Sequence, residues 1–217
     1  MRRELITAFI AVIVFTVLLG IGYPLLVTGV SQAVFPGKAN GSLIRRGGVV
    51  VGSALIGQQF YENVVKNGKV VKVKGVVQTQ PDPRYFQTRP SATAPADNAA
   101  GSSFSNLGPN DKVTKATFDA NIAAYLALEK PYDPALTIAR IPVDAVNSSA
   151  SGVDPDISVA NARIQAHRVA AVRRLPLAQV DGLVAKYTTG RSLGFLGEPG
   201  VNVLELNLAL DRITGSK

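Results

Sequence analysis

The apolar residues of this chain are concentrated near its start, in a run that no charged residue interrupts. After the first four residues, the segment 5–30 (LITAFIAVIVFTVLLGIGYPLLVTGV) is almost wholly apolar, and the next charged residue is Lys38. A helix rises ~1.5 Å per residue, so this segment is long enough to cross a bilayer core of about 30 Å. We therefore predict one transmembrane helix over residues 5–30.

The charges that flank this span predict its orientation. Arg2 and Arg3 precede it, and positive residues beside a span favour the cytoplasmic side. Residues 1–4 are then cytoplasmic, and residues 31–217 form a domain outside the cytoplasm. The alternative is a cleaved signal peptide, because residues 31–33 (SQA) resemble a small-x-small cleavage site. We favour a retained anchor, since the apolar region of a signal peptide is only about 7–15 residues long.

Short patterns of both helix and strand type follow the span. The segment 43–60 reads as one or two strands around Gly47-Gly48, and Asn67-Gly68 predicts a hairpin turn within 63–77. From 78 to 110 the composition predicts a long irregular loop. Further helices are predicted over 111–130, 154–174 and 177–187, and further strands over 137–146 and 201–211.

This alternation of elements defines the predicted fold class. We expect one N-terminal transmembrane helix followed by a single α+β (mixed α/β) globular domain. Asp154, followed by Pro155, is predicted to cap the helix that leads to Arg174. His167 is predicted to be a partly buried neighbour on that helix.

Composition excludes several classes of chemistry. The chain has no cysteine and one histidine, so a disulfide framework and a zinc site are not expected. No phosphate-binding loop of the G-x-x-x-x-G-K-[ST] type and no G-x-S-x-G turn occurs. The net charge of +8 suits a membrane surface or an acidic partner, but no dense basic run indicates nucleic acid. We predict neither catalytic residues nor a metal site.

The segment 84–93 (RYFQTRPSAT) is the strongest candidate site, because it concentrates hydrogen-bond donors and aromatic rings in one loop. Its donors could bind an anion such as a nucleotide phosphate, or they could serve the structure of the domain or a contact with another subunit. We favour the structural or subunit-contact role, since the domain is predicted to lie outside the cytoplasm, away from ATP. The candidate residues are Arg84, Tyr85, Phe86, Gln87, Thr88, Arg89 and Ser91.

Five motifs that follow the anchor in order give the chain a family resemblance. They are GSALIGQQF (52–60), YFQTRPSAT (85–93), SNLGPND (105–111), ASGVDPDIS (150–158) and GVNVLELNLALD (200–211). Over nearly its full length, the chain resembles the C subunit of the Kdp high-affinity potassium-transporting ATPase. It departs from the family pattern at Asp156, where histidine is expected, and at Gly200, where arginine is usual.

This resemblance implies a noncatalytic accessory subunit of an ATP-driven potassium uptake complex in the bacterial inner membrane. The implied partners are a channel-like potassium-translocating subunit, a P-type ATPase subunit, a small single-span subunit and the lipid bilayer. The family is usually assigned the role of a catalytic chaperone that raises the ATP affinity of the hydrolysing subunit. ATP and potassium would be used by the complex, and we expect no direct ATP contact here. The alternative is a membrane-tethered periplasmic binding module or enzyme unrelated to transport.

Overall fold

The computed structural model describes residues 1–104, 106–108 and 110–215. Ser105 and Pro109, which belong to the motif 105–111 and to the predicted loop 78–110, lie outside the described residues. The chain divides into two compact units, residues 1–53 and the residues from Ala54 onward. The predicted class, one apolar N-terminal helix followed by a mixed helix and strand domain, is confirmed.

The first unit begins with the apolar helix. The helical run Arg2–Val34 is long and apolar enough to cross a membrane, and none of its residues is buried by the rest of the chain. A π-helical turn in its middle precedes Pro24, whose ring does not fit a regular helical hydrogen-bond ladder. The run comprises α1 (Arg2–Phe15), the π-helical turn (Thr16–Gly22) and α2 (Tyr23–Val34).

The same unit ends in a short helix and a hairpin. The hairpin turns at Gly47 and Gly48, both with positive φ, as the glycine pair predicted. At the end of this unit, the Ser53 hydroxyl donates to the Gly41 carbonyl at 2.7 Å. These elements are α3 (Pro36–Ala39), β1 (Leu43–Arg46) and β2 (Val49–Ser53).

The second unit opens with three two-stranded arms that meet at one junction. Val64, Val71 and Gln78 form the junction, where each backbone N–H donates to the carbonyl of another member at 2.8–2.9 Å. The predicted turn at Asn67-Gly68 is confirmed, with positive φ at both residues. The arms pair β3 (Tyr61–Asn63) with β8 (Thr79–Pro81), β4 (Val65–Lys66) with β5 (Lys69–Val70), and β6 (Lys72–Val73) with β7 (Val76–Val77).

Helices packed around a small sheet form the core of the second unit. The antiparallel sheet has the order β10-β11-β9, and its central strand contributes the fully buried Val201. Val169 of α5, Val180 of α6 and Leu206 of α7 pack in the same cluster. The elements are α4 (Lys112–Glu129), β9 (Asp156–Ser158), α5 (Val159–Arg173), α6 (Leu177–Lys186), β10 (Thr188–Thr189), β11 (Gly200–Asn202) and α7 (Val203–Thr214).

The predicted strand over 201–211 is wrong, because only Val201 and Asn202 belong to a strand and the remainder is helix α7. Asn202 caps that helix by accepting the Glu205 N–H at 3.1 Å. Almost every residue from Val203 to Asp211 is buried. A helix buried on nearly all sides carries no helical period of polar residues, and its alternating leucines therefore imitated a strand.

Two further predictions are wrong, one about a helix cap and one about a strand. Asp154 does not cap a helix, because α5 begins at Val159 and Ser158 accepts the Asn161 N–H as its N-cap. The predicted strand over 137–146 consists of two 3-10 turns, Ile138–Arg140 and Val143–Ala145. By contrast, the helix predicted over 111–130 is confirmed, and Asp111 caps it by accepting two backbone N–H groups. The helix predicted over 177–187 is also confirmed.

Candidate functional site: a loop held inside the core

The central part of the candidate loop lies inside the second unit. Phe86 is fully buried and packs in the main hydrophobic cluster with residues of α5, α6 and α7. Among the described residues, no strand begins between Pro81 and Lys112, so no sheet partner satisfies the backbone of this segment. Buried backbone groups without hydrogen bonds are costly. The partners must therefore be side chains.

Asn207 of α7 supplies both partners for Phe86. Its Oδ1 accepts the Phe86 N–H at 2.9 Å, and its Nδ2 donates to the Phe86 carbonyl at 2.9 Å. The Asn207 side chain is itself fully buried. A single amide thus takes the place of one residue of a neighbouring strand.

Gln165 of α5 does the same for the next residue. Its Oε1 accepts the Gln87 N–H at 2.7 Å, and its Nε2 donates to the Gln87 carbonyl at 3.1 Å. The Gln87 side chain in turn donates from Nε2 to the carbonyls of Phe60, Asp82 and Tyr85. Sequence analysis missed Gln165 and Asn207, because a polar residue in a predicted helix or strand ordinarily indicates a solvent-facing position.

Arg168 holds the start of the loop from the same helix. This arginine is fully buried and donates from Nη1 to the carbonyls of Pro83 and Tyr85 at 2.7 and 2.9 Å. Its Nε donates to the carboxylate of Glu129, which is only 1% exposed. Burial raises the pKa of Glu129, and the guanidinium of Arg168 opposes that shift. The prediction for this face of α5 is wrong: His167 is exposed, and its neighbour Arg168 is inside.

Arg84 and Tyr85 lie where the loop reaches the surface. Arg84 donates from Nε to both carboxylate oxygens of Asp82 at 2.9 and 3.1 Å, and its side chain is 59% exposed. Tyr85 packs on Phe60 with ring centroids 5.2 Å apart, and the guanidinium of Arg173 lies over the Tyr85 ring, 4.5 Å from its centroid. Burial raises the pKa of the Tyr85 hydroxyl, and the charge of Asp211 adds to the shift.

Arg89 is engaged within the domain. It pairs with Asp154 at 3.1 Å and donates to the carbonyls of Asn147 and Ser148 at 3.4 and 3.2 Å. Its side chain is 23% exposed. Asp154 was singled out for the wrong role: its carboxylate ties the loop to the segment before β9.

The hydroxyls of Thr88 and Ser91 close the end of the loop. Ser91 Oγ donates to the Gly152 carbonyl at 2.6 Å and accepts the Asp97 N–H at 2.8 Å. Thr88 Oγ1 donates to the Asp97 carboxylate at 3.4 Å. Burial raises the pKa of Asp97, although hydrogen bonds from Gln59, Ser91 and Thr88 oppose the shift. The polar groups of the loop are therefore directed at one another and at the surrounding domain.

Asp156 and Gly200, the two positions expected to depart from the family pattern, lie close together on neighbouring strands. Gly200 of β11 pairs with Ser158 of β9, and a Cβ atom on Gly200 would be 3.2 Å from the Asp156 Cβ. Burial raises the pKa of Asp156, and the negative charge of Asp154 raises it further.

Within the part of the chain that the structure describes, His, Cys, Asp and Glu form no group of three or more that could hold a metal ion.

The architecture defines a class of protein: a membrane-anchored α+β domain whose most polar loop makes its contacts within the domain. The sequence matches the family described as KdpC, the c chain of the K⁺-transporting ATPase, over residues 5–212. The chain belongs to the KdpC family and is a component of a potassium-transporting ATPase.

Relatives from distant bacteria support this assignment. The chain is 46% identical over 213 residues to the potassium-transporting ATPase KdpC subunit of Mycobacterium tuberculosis H37Rv, covering 98% of this chain and 100% of the relative. It is 47% identical to the Methylococcus capsulatus subunit of the same name over 207 residues, covering 95% and 96%. The Herpetosiphon aurantiacus subunit is 47% identical over 214 residues, with 98% of each chain covered. The alternative of a tethered module unrelated to transport is thereby set aside.

We predict that Gln165→Ala destabilises the domain far more than a surface glutamine does. The substitution leaves the Gln87 N–H and carbonyl buried without partners and removes an acceptor of Arg168, so the free energy of unfolding should fall by about 2–4 kcal/mol. Gln179→Ala, at an exposed position of α6, should change it by less than about 0.5 kcal/mol. Chemical denaturation of the detergent-solubilised full chain measures both. Equal effects of the two substitutions would contradict the role assigned to Gln165.

Proposed function

We propose that this chain is a noncatalytic accessory subunit of an ATP-driven potassium uptake complex, with ATP hydrolysis on a partner chain. It is required for assembly of the complex and influences ATP affinity only indirectly. The observation that carries the proposal is the state of the candidate loop: Arg84 and Arg89 are each paired with an aspartate carboxylate of the same domain. A loop in this state is suited to supporting a fold.

Direct nucleotide binding by the loop is disfavoured by its contacts. A phosphate site needs guanidinium or backbone donors that face outward. The donors of Arg89 face Asp154 and two carbonyls, while Asp82 offsets the charge of Arg84. Phe86 is buried, and the Tyr85 ring already contacts Phe60 and the Arg173 guanidinium, so both rings are engaged within the domain. Any effect on ATP affinity then requires coupling between separate sites.

Partner contact is better supported at an exposed apolar turn near the C-terminal sheet. This turn, residues 191–198, presents Leu193, Phe195 and Leu196 with 83%, 69% and 50% of their surface exposed. Leu193 has a φ of +53°, which is unfavourable for a side chain with a Cβ atom. Paired backbone hydrogen bonds between Ser192 and Leu196 hold this conformation. An exposed apolar turn that keeps an unfavourable backbone conformation is suited to burial against another subunit.

The proposed location of the complex follows from the anchor. We infer a single-pass subunit of the inner membrane with its N-terminus in the cytoplasm and its folded domain on the periplasmic side. There the domain would lie beside the channel-like subunit and cover its outer mouth, while the P-type ATPase subunit hydrolyses ATP on the other side. The small single-span subunit and the lipid bilayer are the remaining proposed partners. ATP and potassium are used by the complex.

The nucleotide question is tested by Arg89→Ala in the purified complex. Loss of the pair with Asp154 and of two carbonyl contacts should lower the stability of the domain by about 1–3 kcal/mol. The yield of complex should fall, while the Michaelis constant for ATP of the complex that does assemble stays unchanged. Arg163→Ala, at an exposed position of α5, is the control. Intact assembly with a raised Michaelis constant for ATP would contradict the proposal.

The contact surface is tested by the double substitution Leu193→Ser and Phe195→Ser. Both side chains are exposed, so the stability of the isolated chain should hardly change, but co-purification with the larger subunits should fall at least tenfold. Val143→Ser, at a position that is 71% exposed elsewhere in the domain, is the matched control and should leave assembly intact. Unchanged co-purification of the double variant would show that the turn is not a subunit contact.

A further inference from the structure

A second surface of the domain combines positive charge with exposed apolar side chains. We define the lysine arms as the two hairpins β4–β5 and β6–β7, residues 65–70 and 72–77. They carry Lys66, Lys69, Lys72 and Lys74, all exposed, and no acidic residue occurs from Asn63 to Pro81. The charge of this surface is therefore uniformly positive along both arms.

The two arms have turns of the same backbone conformation, seven residues apart in the sequence. Asn67-Gly68 and Lys74-Gly75 form the two tips, with positive φ at all four residues. The junction residues Val64, Val71 and Gln78 are the less exposed ones, whereas every residue of the arms themselves is exposed. The junction hydrogen bonds thus fix the bases of the arms and direct the lysines into solvent.

Valines alternate with the lysines on these arms. Val65, Val70, Val73 and Val76 are 57%, 44%, 52% and 65% exposed. Val65 pairs across its hairpin with Val70, and Val73 pairs with Val76, so each arm presents an apolar pair. Basic residues combined with exposed apolar side chains are characteristic of surfaces that lie in the headgroup region of a bilayer.

We propose that the lysine arms dock onto an anionic lipid surface, with the lysines at the headgroup phosphates and the valine pairs at the apolar boundary. The chain carries a candidate membrane-spanning helix and belongs to a membrane complex, so a bilayer is within its reach. Each lysine near an anionic surface favours the docked state by about fivefold, and this attraction acts within a Debye length of about 8 Å at physiological salt. Charge complementarity therefore selects anionic lipid as the occupant.

The competing role for these lysines is protection of exposed strand edges, because charged residues on an edge prevent pairing with other chains. That role needs charge but no lipid. Lys74 does not fit it well, since this residue lies in a turn and not on an edge. The two roles differ in what the arms contact when a bilayer is present, and this contact is measurable.

The test uses the full chain reconstituted into vesicles, with an environment-sensitive fluorophore on a single cysteine. The chain has no cysteine of its own, so Val73→Cys places one probe on an arm, and Gln179→Cys places a control probe on an exposed face of α6. Nitroxide-labelled headgroups report contact by quenching. The vesicles contain phosphatidylcholine alone or phosphatidylcholine mixed with phosphatidylglycerol.

We expect quenching of the probe at position 73 in the mixed vesicles and not at position 179. It should disappear in 1 M salt, where the Debye length is about 3 Å. The quadruple variant Lys66→Gln, Lys69→Gln, Lys72→Gln and Lys74→Gln should abolish it, because its docking equilibrium weakens by on the order of a hundredfold or more. The circular dichroism spectrum of this variant, which checks that it folds, should match that of the unsubstituted chain.

Three outcomes would overturn the proposal. Absence of quenching in the mixed vesicles would leave the lysines to edge protection or to a protein partner. Equal quenching in neutral vesicles would remove the role of anionic lipid. Quenching that survives the quadruple substitution would show that the lysines do not hold the arms at the bilayer.

Discussion

The second unit depends on satisfying one stretch of irregular backbone that passes through its core. Residues 83–87 have no strand beside them. Asp82 accepts the Arg84 and Tyr85 N–H groups, and Arg173 donates to the Arg84 carbonyl. The remaining N–H and carbonyl groups are paired by the side chains of Gln165, Arg168 and Asn207. These three side chains come from α5 and α7, the two most buried helices. The packing of these two helices therefore also positions the loop. The buried pair of Arg168 and Glu129 extends this network to α4, and breaking such a pair is strongly destabilising.

This constraint also shapes the functional interpretation. A loop with two arginines, an aromatic pair and several hydroxyls resembles a ligand site when it is read as a sequence. In the fold, Arg89 is paired with Asp154, Phe86 is in the core and the hydroxyl of Ser91 is bound to a backbone carbonyl. Two exposed surfaces carry our proposals, the apolar turn 191–198 for a protein subunit and the lysine arms for an anionic bilayer.

Sequence patterns predicted the parts of this fold that are governed by local physics. The apolar run 5–30, the helix with its cap at Asp111 and the turn at Asn67-Gly68 all follow from short-range rules. The failures occur where tertiary burial overrides them. Helix α7 is buried on nearly all sides, so its sequence shows no helical period of polar residues. Helix α5 directs the polar side chains of Gln165 and Arg168 inward, whereas His167 is exposed. Sequence analysis chose the loop 84–93 as the candidate site, but no local signal showed that most of its donors bind within the domain.

The central claim is that the folded domain lies outside the cytoplasm and acts on ATP affinity only at a distance. Its most direct test is labelling of a single cysteine by an impermeant maleimide in intact cells whose outer envelope has been permeabilised. Position 179 on α6 is exposed and the chain has no native cysteine, while Glu4→Cys, on the other side of the span, is the control. The account predicts that position 179 is labelled from outside and that position 4 is protected. Labelling of position 179 only after the inner membrane is opened would place the domain beside cytoplasmic ATP and contradict the account.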